Sequence, residues 1–433
     1  MSRLARLEGS ARFLALVKLA NVGLVLIWGF AVTFVFVRVL PIAEFQAFLL
    51  LVAFGNFTIS AEFGLTSIIY ARLRRHWLAG GAGEDDGGFR LEEMGVLFLV
   101  LGLIIVGATL ILLVALAAGW LATGLPLLFL LFFLSACLNL PALLAKRALA
   151  AIDGNFLWEG LDCARRVVTI GLLLAMLAGM DPRLSLALQL IVSVVVIAYA
   201  IAHVHRRLAM TRRHWLAFRI GGGHVRAHYL RDIGASAAFT VSDIVAYNAP
   251  YFTIALATSD PRPMLVFDFF FKMSRSLSML VRATVEAALP RITRAYHAGD
   301  FARLRQLLGR ATAAAMLFAI GLSAVLLAAG DSLFAILFDG RATIDRADIG
   351  LIILALFALT LLCVSVYVQA ALGRFGELLA RSLPFLAGSL ASAPLALLLW
   401  PDRFDLAFLS LYALTLVGVA ALHLMSLRRL VRA

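Results

Sequence analysis

Charge is scarce in this chain. Asp, Glu, Lys and Arg make up 15% of 433 residues, hydrophobic residues make up 63%, and the mean hydropathy is +0.98. Soluble domains carry about 25% charged residues, so that class is excluded. Long polar segments are missing too: on the less basic side of the apolar runs, the longest connection is 331–348. There is no room there for a catalytic domain. The apolar runs do not alternate with polar residues, which excludes a β-barrel. No Walker A sequence is present, so ATP is not the direct energy source. Ser/His/Asp constellations and metal-ligand spacings are absent as well. The expectation is therefore a non-enzyme, with no catalytic residue, no metal site and no cofactor beyond a coupling proton or sodium ion. Cysteine is rare. Cys137, Cys163 and Cys363 lie in or beside apolar runs at no motif spacing, so free thiols are expected and no disulfide. Acidic residues are outnumbered, 25 against 38 Lys plus Arg, which gives a net charge of +13. Nucleic-acid binding is the tempting reading of that charge, but the position of the arginines argues against it.

What is present is a series of apolar runs, each about 20 residues long, the length that crosses a bilayer as a helix. Twelve spans are expected, at 13–37, 46–70, 92–118, 121–145, 164–180, 184–205, 232–258, 264–290, 310–330, 349–373, 378–400 and 405–426. The fold class is all-α: a polytopic membrane protein with two six-helix bundles around a central cavity. Of the 38 basic residues, 29 lie at the N-terminus, the even-numbered connections and the C-terminal tail. Six lie on the other side, and Lys272, Arg275 and Arg282 lie inside span eight. By the positive-inside rule both termini are cytoplasmic. The basicity is thus a topology signal, helped by anionic membrane lipids. The basic N-terminus leads into an apolar run of about 25 residues without a small-residue cleavage site, so it reads as the first span and not as a signal peptide.

The spans repeat with a period near 219. Ala151-Ile152-Asp153-Gly154-Asn155-Phe156 lies over Ala370-Ala371-Leu372-Gly373-Arg374-Phe375. The expected domains are an N-terminal bundle 1–205, a basic cytoplasmic linker 206–231 and a C-terminal bundle 232–433, with repeats related by an axis along the membrane normal. The linker carries His214, His224 and His228 beside Gly221-Gly222-Gly223, at no ligand spacing and with no strand before the glycines. It reads as a solvated, headgroup-facing connection. Gly80–Gly88 reads as a simple acidic connector.

Span eight carries Asp268, Lys272, Arg275, Arg282 and Glu286 at steps of four, three, seven and four. On a helix these fall within an arc of roughly 80°. A charge facing lipid costs about 2.5–3.5 kcal/mol at mid-bilayer, so the stripe must face a polar cavity or partner charges. Asp268–Lys272 and Arg282–Glu286 also have the spacing of local ion pairs. Asp243, near the middle of span seven, is level with this stripe. It either neutralises Arg275 or Arg282, or carries a coupling proton. Tyr247, Tyr251 and the phenylalanines 269–271 read as packing or lipid-facing residues.

Three stretches resemble a known family. Val37-Arg38-Val39-Leu40-Pro41-Ile42-Ala43-Glu44-Phe45, then Ala61-Glu62-Phe63-Gly64-Leu65-Thr66, resembles the opening of Wzx-type polysaccharide flippases, except that Pro41-Ile42-Ala43 stands where a Gly-Pro turn is usual. Leu289-Pro290-Arg291-Ile292-Thr293-Arg294, with Gly299-Asp300 and Leu304-Arg305-Gln306-Leu307-Leu308, resembles the connection between spans eight and nine. Gln369-Ala370-Ala371-Leu372-Gly373-Arg374 resembles the end of span ten. Together they resemble the superfamily of multidrug, oligosaccharidyl-lipid and polysaccharide exporters. The resemblance implies a two-lobed alternating-access flippase for an isoprenoid-pyrophosphate-linked oligosaccharide. Its place would be the bacterial inner membrane, in O-antigen or other surface polysaccharide synthesis, with a polysaccharide polymerase and a chain-length regulator as partners. Lys272, Arg275 and Arg282 would then be the cavity cations that meet the pyrophosphate. Asp243, Asp268, Glu286 and Glu62, the acid before Gly-Leu, would be counter-ions or coupling carboxylates. Two alternatives stay open: a cation-coupled exporter of drugs or other lipids on the same scaffold, and an integral-membrane polymerase or glycosyltransferase, which the short outer loops disfavour.

Overall fold

A computed structural model describes residues 11–60, 65–79 and 89–432. Among them every regular element is helical and no strand occurs. The first half holds α1 Ala11–Val39, α2 Ile42–Ser60, α3 Leu65–Leu78, α4 Glu92–Ala117, α5 Pro126–Cys137, α6 Asn139–Ala151, α7 Asn155–Leu177 and α8 Pro182–Arg207. A short α9, Arg212–Leu216, leads to α10 Phe218–Ala257 and α11 Pro261–His297. The rest is α12 Phe301–Phe338, α13 Arg346–Ala371, α14 Phe375–Leu399 and α15 Phe404–Arg432. In hydrocarbon each backbone N–H and C=O must be satisfied within its own segment, and a helix does this.

All twelve expected spans correspond to helices. Span four is shared by two, and span two falls on α2 and α3, on either side of residues 61–64, which lie outside the described residues. In span four, Pro141 has no N–H to offer the carbonyl of Cys137, and the break between α5 and α6 falls there. Asn139 Nδ2 donates to the Ala136 carbonyl at 2.9 Å beside that break. Among the described residues nine helices are long and apolar enough to cross a membrane. The three expected spans outside that set are α7, α10 and α11, which carry polar and charged residues within their apolar runs. Span starts are set by aspartates. The Asp181, Asp260 and Asp300 carboxylates accept from first-turn N–H groups of α8, α11 and α12 at 2.6, 3.0 and 3.0 Å.

The chain forms two compact units, 1–237 and 238–433, and the divide falls inside α10. In the first unit Phe36 stacks on Phe48 at a centroid distance of 4.3 Å, and Phe132 meets Phe48 edge-on at 4.6 Å. In the second, Phe267, Phe270, Phe408 and Tyr412 form an aromatic core. Leu103, Val106, Leu110 and Val114 of α4 and Leu317, Ile320 and Leu327 of α12 remain exposed, as lipid-facing stripes require.

Residues 206–231 are mostly exposed where their burial is described, as a solvated connection requires, but they also pack locally against α4. They are largely helical, and α9 lies against α4. A Cβ on Gly221 would stand 2.6 Å from the Glu92 carbonyl oxygen, and one on Gly95 would stand 2.4 Å from that of Trp215. Only glycine permits those approaches. Glu93, fully buried, is the reason for the contact: His224 Nδ1 meets it at 2.5 Å and Arg72 at 3.6 Å. The 80–88 loop lies outside the described residues.

The turns at the two overlaid sequences each hold one left-handed residue, one position apart in that overlay. The first, between α6 and α7, puts Asp153 at φ 64; the second, between α13 and α14, puts Gly373 at φ 73. Aspartate tolerates that left-handed conformation where most side chains do not.

Candidate functional site

The stripe of span eight lies on α11, and its members meet different fates. Asp268 is 1% exposed; it accepts the Tyr251 hydroxyl at 2.7 Å on one oxygen and the Lys272 ammonium on the other. Lys272 is therefore held by a buried carboxylate one turn away. Arg282 Nε donates to Glu286 at 2.7 Å, with both side chains about half exposed. Its guanidinium also stands 5.9 Å from the Tyr367 ring. So the local pairing that the four-residue spacings allow is present at both ends of the stripe.

Arg275 is different. It is exposed, and its guanidinium lies 5.7 Å from the Phe271 ring. Asp243 of α10 is half-buried and feels the Arg275 charge, yet neither makes an ion pair within 4 Å among the described residues. Tyr247, Tyr367, Tyr412 and Cys363 also lie within range of the Asp243 charge. The result is a polar tract between α10, α11 and α13 in the second unit, centred on one carboxylate and one guanidinium. Arginine there can form a bidentate contact with a carboxylate or phosphate, and Asp243 can hold or release a proton. The phenylalanines 269–271 are packing residues, exposed by 0, 0 and 8%. Glu62 lies outside the described residues.

A second polar cluster has no counterpart among the residues singled out by sequence. In the first unit, Asn21 Nδ2 donates to Glu159 at 2.7 Å and to Asp162 at 3.0 Å. Arg165 and Arg166 close on Asp162 at 2.7 and 3.0 Å, and Lys146 reaches Glu159 at 3.6 Å. Glu159, Asp162 and Arg165 are all less than 8% exposed. Three cations outnumber two carboxylates, so the cluster does not offer an anionic cage to a metal ion. A signal exists in the sequence: Glu159, Asp162 and Arg166 share one face of α7 by their spacing of three and four. A span five starting at 164 hides it, because α7 begins at Asn155. No group of three or more metal-ligating side chains occurs among the described residues.

No protein-family model matches the chain, and no curated protein matches it by sequence. Solved structures do. A mutant form of the Vibrio cholerae MATE transporter VcmN is 15% identical with a TM-score of 0.62, covering 99% of this chain and 98% of that one. A multidrug resistance MATE family transporter of the MOP superfamily, in an inward-facing conformation, is 12% identical at TM-score 0.66, covering 97% and 94%. A MOP superfamily transporter from Pyrococcus furiosus, described by the reverse polarity of its binding pocket, is 13% identical at TM-score 0.64, covering 99% and 97%. At such identities the likeness is one of fold: over nearly all of its length, this polytopic membrane chain has the fold of the MATE-type transporters.

Proposed function

We propose that the chain is a secondary transporter that carries an amphipathic solute across a bilayer by alternating access and is coupled to a cation. The observation that carries this reading is the pair Asp243 and Arg275, a titratable carboxylate and an exposed guanidinium with no close ion pair, on a transporter fold. Protonation of Asp243 would free Arg275, and deprotonation would restrain it. In the membrane-deep parts of α10 and α11 the charges balance: Asp243, Asp268 and Glu286 against Lys272, Arg275 and Arg282. A three-cation anion site is not what such a balance supports. An exporter of drugs or other lipids fits it better, and one of the similar structures is described as a multidrug resistance transporter.

A second reading keeps one specific observation in its favour. Arg275 alone suits a pyrophosphate, and the flippase-like motifs surround it in the sequence. On that reading the cargo is the lipid-linked oligosaccharide of O-antigen or lipopolysaccharide synthesis, and a polymerase and chain-length regulator act beside it at the inner membrane. The pocket of reverse polarity in the Pyrococcus furiosus protein is a precedent for a change of charge on this scaffold.

The two readings separate in proteoliposomes with an imposed pH gradient. One set follows efflux of a lipophilic cationic dye, the other the outward movement of a fluorescent isoprenoid-pyrophosphate-linked sugar. Movement of the dye alone supports the exporter, and movement of the sugar lipid alone supports the flippase. Movement of neither removes the proposal. Asp243→Asn keeps the shape and removes titration, so transport should lose its dependence on the gradient. An unchanged response would assign coupling elsewhere, with Glu62 next in line.

A further inference from the structure

At one end of the second unit, the C-terminal ends of α11 and α15 and the N-terminal ends of α12 and α14 border a cavity of about 740 Å³. It lies roughly 30 Å along α11 from Arg275, at 1.5 Å per residue, so it is separate from the tract described above. Arg374, Arg381 and Arg429 line it, with His297 and Tyr296 at its wall and Glu377 as its acid. Glu377 is shared: Arg374 binds one oxygen, and Arg381 lies 3.2 Å from the other. Arg429 is exposed and makes no ion pair among the described residues. One carboxylate against three guanidiniums leaves an excess of two positive charges.

The floor of the cavity adds an independent observation. Ser426 lines it and donates to Gln369 Oε1 at 3.2 Å; Gln369 Nε2 donates to Ser365 Oγ at 2.7 Å. The Ser365 hydroxyl lies 3.2 Å from His423 Nδ1 and 3.4 Å from the His423 carbonyl oxygen. His423 is fully buried, and Nε2 has no partner among the described residues. Arg381 Nη1, a buried donor, likewise has no partner among them, and the Arg381 charge acts on His423. A buried guanidinium donor and a buried ring nitrogen thus both lack a partner among the described residues, beside a cavity with surplus positive charge. Such groups are normally satisfied.

We infer that this cavity binds a phosphate group, held by Arg381, Arg429 and Arg374. Planar guanidinium forks match phosphate oxygens bidentately, and the excess positive charge suits an anionic phosphate, whether the dianion of free phosphate or the monoanion of a lipid phosphodiester. The group can come from an anionic lipid headgroup or from soluble phosphate. The inference stands whichever cargo the transporter carries.

The test uses the full-length purified protein. One arm titrates inorganic phosphate in neutral detergent by calorimetry. The other reconstitutes the protein in nanodiscs of mixed phosphatidylglycerol and phosphatidylcholine and reads retained lipid by native mass spectrometry. Arg381→Gln and Arg429→Gln should each weaken binding about tenfold or more, while Glu377→Gln should tighten it. Arg212→Gln, an exposed basic residue of the first unit, should change nothing. Saturable phosphate binding with this pattern supports a soluble source. Preferential retention of phosphatidylglycerol with this pattern, and no response to free phosphate, supports a headgroup source. Binding of neither probe, or binding indifferent to these substitutions, overturns the inference. Should Arg381→Gln fail to fold, the exposed Arg429→Gln and Glu377→Gln carry the test with their opposite signs.

Discussion

Asp268→Ala is the sharpest test of how the α11 stripe is held. Asp268 is 1% exposed, and it faces the ammonium of Lys272, whose side chain is 13% exposed. Removing the carboxylate leaves that ammonium buried without a counter-charge, which costs about 3–5 kcal/mol. The Tyr251 hydroxyl loses its acceptor at the same time, adding about 1 kcal/mol. At about 2–4 °C per kcal/mol for a unit of this size, the melting temperature in detergent should fall by roughly 10–20 °C. The double variant Asp268→Leu with Lys272→Met removes both charges and keeps apolar volume. It should lie within about 1–2 kcal/mol of the unsubstituted protein, because an apolar pair of similar size replaces a buried ion pair at little cost. The assay is a set of size-exclusion melts in detergent for the two single variants and the double, read as a cycle, with transport per folded molecule measured beside it. If Asp268→Ala melts like the parent, or the double costs as much as the two singles together, the pairing is not what holds Lys272. If the folded double variant loses transport, Lys272 meets the cargo and the pair is more than structural.

Arg275→Ala should abolish transport at near-normal abundance, since it breaks no ion pair within 4 Å; wild-type transport at wild-type abundance would make the charge dispensable. Gly221→Ala forces a Cβ to within 2.6 Å of the Glu92 carbonyl oxygen and should destabilise by about 1–3 kcal/mol, while Gly222→Ala, with nothing within 4 Å, should stabilise the helix by about 0.5–1 kcal/mol. Hydrogen exchange over 212–224 would read the difference, and equal effects would remove the close-packing explanation. Asp162→Ala strands Arg165 and Arg166 and should cost about 3–5 kcal/mol, against about 1.5–3 kcal/mol for Asn21→Ala, both read as melting shifts in detergent. A fluorescent protein that matures only in the cytoplasm, fused after Ala433, should be bright if both termini are cytoplasmic; a dark fusion with full expression would reverse the orientation read from the arginines.

The features legible before any packing is known are local in origin. A run of about 20 apolar residues is a membrane helix wherever it occurs, so the all-α class and the twelve helical runs follow from composition and length. The same holds for the α11 stripe, because angular position on a helix depends only on residue spacing. The sided distribution of arginine is a count along the chain. Partners are another matter. The Lys272–Asp268 pair is readable as a four-residue step, but Tyr251, which completes it, comes from a different helix. Asn21 meets Glu159 across 138 residues, and Ser365 meets His423 across 58. Periodicity says which face a side chain is on, not which helix packs against that face. The contact of residues 206–231 with α4 is hidden for the same reason. Composition shows that they are solvated, but not that the buried charge of Glu93 and the bare backbones of Gly95 and Gly221 draw part of them onto α4. Packing also settles which cations are spoken for. Lys272 and Arg282 have partner carboxylates, and Arg275 has only the longer-range charge of Asp243, because the fold brings α10 beside α11 at that height.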